Sequence, residues 1–279
     1  MSFVRFTTDF QTGTLSNLRG ISLGSLMMLL LGIIDDVKIK GLNFKLKLAV
    51  QITAAAVVIF FFDIRIHFIK DYWISCLASI IWITGITNAF NIIDVMDGLS
   101  SGIAFIASLA FLLISLPTEM IYVNFCTAAL AGSVLAFIPF NLSKSKKIFM
   151  GDAGSLFVGF VLANSALGTS YTSTNEIGLL APLFILSIPI YEVALVSFFR
   201  IKKNKLPFEG SKDHYALRLI KMGFSKKQII SITYLSCSVL ALCAFLLTRL
   251  ESHYSLCIFI IVILLLWVAT IRLSRVVVD

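Results

Sequence analysis

Four groups of polar residues interrupt an otherwise apolar chain, and each has a spacing that chemistry can use. Asp35 and Asp36 are consecutive and directly follow the apolar run MMLLLGII. Asn88, Asn91, Asp94 and Asp97 recur at every third position within NAFNIIDVMDGL. Asp152 sits among Gly151, Gly154 and Ser155 in MGDAGSL. The fourth segment, 200–228, holds nine basic residues together with His214. A carboxylate within an apolar membrane segment costs about 2.5 kcal/mol or more unless it is partnered. Acids gathered in this way call for a shared counter-charge, which a divalent cation with phosphates supplies economically. Beside them, the basic segment reads as the complementary half of a site for pyrophosphate and an anionic lipid.

The spacing also constrains the elements that carry these groups. Each step of three residues turns about 60° backwards around an α-helix. Asn88 and Asp97 would therefore face opposite sides of an unbroken helix. All four residues converge only if the helix tightens or ends near Asp94, and Gly98 with Gly102 makes such a break plausible. Around Asp152, small residues before a helix leave room for a phosphate at a positive helix N-terminus. The plainer reading of the same residues is a helix capped by Asp152 itself. Three acidic sites on one membrane face favour the functional reading. Within the basic segment, Lys226 next to Lys227 is expected to add only bulk positive charge.

Composition sets the surroundings. The chain has 279 residues, 58% of them apolar and 14% charged, with a mean hydropathy of +0.96. Soluble domains carry about 25% charged residues. These values exclude a soluble enzyme, a disordered chain and a nucleic-acid-binding module, and they predict an all-α, polytopic transmembrane bundle. Nine spans are expected, at about 17–34, 46–62, 72–92, 101–116, 121–140, 155–170, 178–199, 229–248 and 254–271. With nine crossings, eighteen Lys and Arg residues fall on one side and three (Arg65, Lys70, Arg249) on the other. That split places the acids, the basic loops and the C-terminus in the cytoplasm. Pro189 is expected to kink the seventh span. The five cysteines lie in apolar stretches without a C-x-x-C pair, so neither a disulfide framework nor a zinc site is implied. The N-terminus lacks the apolar core of a signal peptide. Residues 1–279 read as a single integral membrane domain.

Taken in order, the motifs resemble those of the polyprenyl-phosphate N-acetylhexosamine-1-phosphate transferases, membrane enzymes that start peptidoglycan, O-antigen, teichoic acid and other envelope polymers. LGIIDDVKIKGLNFKLKLAVQ resembles the family's Asp-Asp motif with its following Lys and Gln, and NAFNIIDVMDGL resembles N-x-x-N-x-x-D-G-x-D-G-L. MGDAGSL resembles G-D-x-G-S, and LPFEGSKDHYALRL resembles the basic cytoplasmic loop. The resemblance implies transfer of a HexNAc-1-phosphate from a UDP-HexNAc to polyprenyl (undecaprenyl) phosphate in the bacterial inner membrane, with release of UMP and with Mg²⁺ (or Mn²⁺) as cofactor. It implies metal ligation by Asp152 and Asp94, and catalytic roles for Asp35, Asp36 and Asp97. It further implies substrate binding by Asn88, Asn91, Lys45, Lys212, His214 and Arg218. The bilayer is the implied partner surface and nucleic acid is not one; a homodimer is compatible with the pattern.

This chain departs from the family pattern in four places. Val95 replaces a usual Gly, and Glu192 replaces a usual Asp. His214 stands alone, with Ala216 and Leu217 where many members have further histidines. That argues against UDP-MurNAc-pentapeptide and leaves UDP-GlcNAc or a related donor. The N-terminal spans usual in the family are expected to be missing, which makes an inactive or truncated homologue the main alternative. An ion-coupled transporter is a more distant one, since it would place its acids near the membrane midplane on broken helices. A covalent aspartyl-phosphate route remains open beside direct transfer.

Overall fold

The computed structural model describes residues 13–118, 120–172, 175–204 and 213–276. Among them every regular element is a helix. In order come α1 (Thr14–Val37), α2 (Phe44–Phe62), α3 (Tyr72–Ile93), α4 (Leu99–Ser115), α5 (Ile121–Asn141) and α6 (Gly151–Gly168). They are followed by α7 (Ala181–Ile185), α8 (Ser187–Lys202), α9 (Tyr215–Lys221), α10 (Lys226–Leu247) and α11 (Ser252–Ser274). Each of the nine expected spans coincides with a helix or, at 178–199, with a bent pair. Among the described residues, seven helices are long and apolar enough to cross a membrane, and the bent pair makes up to eight. The protein is a multi-pass membrane protein.

The segment expected at 155–170 is a different kind of helix. It forms α6, whose residues from Ser155 to Ala166 are almost all buried by protein. Its polar Asn164 is fully buried, with its amide donating to the Phe160 carbonyl (2.8 Å) one turn back. Small residues let its neighbours close in. A Cβ on Gly32 of α1 would lie 2.3 Å from the Ala153 backbone, and one on Gly159 would lie 2.9 Å from the Cα of Thr87 on α3. α6 is thus clamped between α1 and α3, with its N-terminus fixed at one end of the bundle.

The bent pair turns by 67° at Leu186. Pro189 explains the position: it lacks an N–H for the Ile185 carbonyl, and its ring crowds that same group. Its helix, α8, packs against α3. α11 lies at the periphery, with only 11% of its apolar window buried. It is pinned at both ends. Asn175 donates to the Leu247 carbonyl (2.9 Å) beside the α10–α11 turn, and Arg218 donates to the Leu273 carbonyl (3.2 Å) at the far end. Tyr72 and Trp73, both exposed at the start of α3, form the aromatic fringe typical of a membrane edge.

Candidate active site

The C-terminal end of α1, the N-termini of α2, α4, α6 and α10, and the C-terminal ends of α3 and α5 meet at one end of the bundle. Local chemistry sets each terminus. α3 stops at Ile93, with Asp94 outside helical geometry (φ −78°, ψ 52°). Gly98 then adopts φ +82° to start α4, a left-handed conformation open to glycine at little cost. The break releases Asp94 and Asp97 from the helical rotation and turns both toward a cavity of about 430 Å³. Asn91 and Asp152 also line this cavity, as do Lys147 and Lys226.

The consecutive acids of α1 do different things. Asp36 accepts hydrogen bonds from the backbone N–H groups of Asp152 (2.9 Å) and Ala153 (3.0 Å). Its carboxylate therefore occupies the positive N-terminus of α6, where the sequence suggested room for a phosphate, and Asp152 does not cap its own helix. Gly151 is needed for this closure: its φ is +62°, and a Cβ there would come 2.6 Å from the Asp36 carboxylate. Asp35 instead accepts from the Leu42 backbone N–H and from the Lys47 ammonium (2.9 Å). The same ammonium donates to Asp152. Lys47 thus supplies part of the counter-charge that was expected from a cation.

The remaining residues divide into those at the cavity and those behind it. Asn91 donates to the Ser155 hydroxyl (3.1 Å) and ties α3 to α6. Asn88 lies deeper, bonded to the Thr84 carbonyl (2.8 Å) and paired with the buried Gln51 of α2. Asp97 is paired with Lys147 (2.7 Å). Asp94 has no such partner among the described residues; burial first, then the charges of Asp152, Asp97 and Asp36, pushes its carboxyl up to about 7.

Several expectations need correcting. Lys45 is exposed and stays out of the cluster, with Lys47 in the place foreseen for a lysine. Lys226 is a wall of the cavity rather than a source of bulk charge. Arg218 is unsuited to phosphate binding because it is 1% exposed and its donors are engaged. It donates to Asp213 (2.9 Å) and to the Leu273 and Val276 carbonyls, and it stacks 3.6 Å over the Phe199 ring. His214 is held by the fully buried Glu192 (2.7 Å), which also accepts from the Tyr215 backbone N–H (3.1 Å). Lys212 lies outside the described residues. Asn141 was missed altogether. Its side-chain oxygen accepts from the Gly98 N–H (2.6 Å), and its amide donates to the Ile148 carbonyl (3.0 Å). An Asn at the end of an apolar span was the only sequence signal for it.

The model of the family described as glycosyl transferase family 4 matches residues 18–170, the stretch that carries α1 to α6 and every carboxylate at the cavity. The chain belongs to glycosyl transferase family 4. It is 30% identical to a Bacillus subtilis protein named "Probable undecaprenyl-phosphate N-acetylglucosaminyl 1-phosphate transferase", over 92% of this chain and 73% of that protein. It is 29% identical to a decaprenyl-phosphate N-acetylglucosaminephosphotransferase of Mycobacterium leprae, over 76% of this chain and 60% of that one. It is also 29% identical to the undecaprenyl-phosphate alpha-N-acetylglucosaminyl 1-phosphate transferase of Escherichia coli K12, over 55% of this chain and 43% of the relative. As a family 4 chain, it carries in the matched segment every lining residue of its acidic cavity except Lys226.

Proposed function

We propose that this protein transfers N-acetylglucosamine 1-phosphate from a UDP-sugar to a polyprenyl phosphate, releasing UMP and starting an envelope polysaccharide. The observation that carries the reading is the cavity where Asp94, Asp97 and Asp152 face Lys147 and Lys226, with Asp35 joined to Asp152 through Lys47. The relatives' names supply the acceptor and the sugar. The UDP donor comes from the family resemblance. The eighteen-to-three charge split, which holds for nine crossings, supports a cavity and a C-terminus on the cytoplasmic side, and the bacterial inner membrane comes from the family resemblance.

Mg²⁺ fits the residues present, with Mn²⁺ as the alternative. Asp94, pushed up to about 7, marks a site short of positive charge. Among the described residues no group of three acids, histidines or cysteines gathers to hold a metal on protein ligands alone. This suits a cation held by one or two carboxylates and shared with substrate phosphates. Asp152 and Asp94 would hold it, and it would neutralise charge on the pyrophosphate. Lys147 and Lys226 would draw in the anionic donor. Asp35, fixed by Leu42 and Lys47, would orient the lipid phosphate, which is already largely ionised near neutrality (second pKa about 6). That phosphate attacks the β-phosphorus of the donor, the bond to the α-phosphate oxygen breaks, and UMP leaves. The test is UMP release from UDP-GlcNAc by membranes containing the protein. Release that requires added undecaprenyl phosphate supports transfer; none at all would point to an inactive homologue first and to the transporter reading second.

A further inference from the structure

A second cavity, unconnected with the acidic one by any shared lining residue, opens sideways from the bundle. It is a groove of about 540 Å³ between α10 and α11, closed at its inner wall by α8 and α9. Val239 and Val262 mark its deep end; Met222, Phe224 and Arg272 mark its mouth. From Val262 to Leu273 the α11 wall rises about 16 Å at 1.5 Å per residue. Half of a hydrocarbon core about 30 Å thick is about 15 Å. The groove therefore spans one leaflet, on the side of the acidic cavity, and stops near the midplane.

Its polar groups are largely spent. The Tyr215 hydroxyl pairs with Thr233 (3.0 Å), and the Tyr191 hydroxyl accepts from Thr270 (3.3 Å). Apart from the half-buried Ser236, the side chains that remain are apolar; Leu235, Val239 and Leu265 are exposed, and Leu240 and Val262 are buried at the back. Arg272 is the charged exception. It lines the mouth, is exposed, and meets no carboxylate among the described residues, with the exposed Arg275 less than one turn further on. A leaflet-length apolar slot ending in an exposed guanidinium matches an acyl chain beneath a phosphate headgroup. A polyprenyl chain is a poorer match, because its phosphate must reach the acidic cavity, whose wall includes none of these residues.

We propose that this groove is a docking site for one anionic diacyl phospholipid of the cytoplasmic leaflet, held through Arg272. An occupant would also brace α9, since Tyr215, Leu219 and Met222 form part of the wall. α9 directly follows His214 and is tied to the end of α11 by Arg218. A bound lipid would fill the gap that this one tie leaves open.

Native mass spectrometry of the full chain in detergent tests the proposal, with dioleoyl phosphatidylglycerol and dioleoyl phosphatidylcholine as probes. One phosphatidylglycerol is expected to be retained about fivefold more strongly than phosphatidylcholine. Arg272→Gln should erase that preference, while Val239→Trp, which fills the slot, should weaken retention of both. Both variants should keep the melting temperature of the lipid-free protein, which shows that they fold. Equal retention of the two lipids, or an unchanged preference in Arg272→Gln, would overturn the proposal. So would displacement of phosphatidylglycerol by undecaprenyl phosphate, or a dimer that Val239→Trp dissolves. None of these readouts depends on transferase activity.

Discussion

Asp36 holds the backbone of Asp152: its carboxylate accepts from the N–H groups of Asp152 and Ala153 at 2.9 and 3.0 Å, across 116 positions of sequence. Two consecutive acids at the end of α1 therefore have separate tasks. Asp36 fixes where α6 begins, and Asp35 faces Lys47. Asp36→Ala should lower stability by about 1–2 kcal/mol, the worth of a charged helix cap. It should also reduce turnover by displacing Asp152. Thermal unfolding in detergent checks the first effect, and UMP release per folded protein checks the second. Asp35→Asn should reduce turnover with a smaller change in melting temperature.

Lys47 and Lys45 separate in the same manner. Lys47→Met leaves Asp35 and Asp152 facing each other without their shared ammonium. Turnover should fall by about 10²-fold or more, as expected when a preorganised charge is removed from a reacting phosphate site. Lys45→Met, two positions away and exposed, should stay within about twofold of the parent, the range of a surface charge. Initial rates for the two variants in matched membranes decide the point.

The acids were legible because a carboxylate at the end of an apolar run stands out in any hydropathy reading. The break after Ile93 was legible too, since Asn88 to Asp97 cannot share a face without it. Lys47 was not. It lies 200° around α2 from Lys45 at 100° per residue, and only the packing of α2 against α1 says which lysine faces Asp35. Arg218 was misread for a related reason. In sequence it is one cation among nine in a basic segment, and its burial arises from the distant end of α11. The character of α6 was hidden because protein burial and lipid exposure favour similar apolar residues. Asn141 carries no charge and no motif, and its bond to Gly98 exists only once α4 and α5 pack together.

Arg218 is therefore a fold residue. Arg218→Met should destabilise by about 3 kcal/mol, since it strips one partner from the buried Asp213 and frees two carbonyls at the end of α11. In protein that remains folded, the KM for UDP-GlcNAc should be unchanged. A raised KM with an unchanged melting temperature would return Arg218 to the substrate site.

Lys226 and His214 exchange the weights that the sequence suggests. Lys226→Ala removes a cation from the cavity wall and should raise the KM for UDP-GlcNAc by about twentyfold, within the 1.5–3 kcal/mol of a charged hydrogen bond. His214→Ala leaves Glu192 buried without its 2.7 Å partner. Its first effect should be a lower melting temperature, measurable by thermal unfolding without any substrate.

The central claim is that Asp152 stands at the reacting pyrophosphate, positioned by Asp36 and balanced by Lys47. The most direct measurement is UMP release from UDP-GlcNAc with added undecaprenyl phosphate and Mg²⁺, comparing the parent with Asp152→Asn at equal folded amounts. The account predicts release by the parent that stops on chelation of Mg²⁺, and a loss of about 10²-fold or more in Asp152→Asn. Near-normal release by Asp152→Asn at ordinary Mg²⁺ would contradict it.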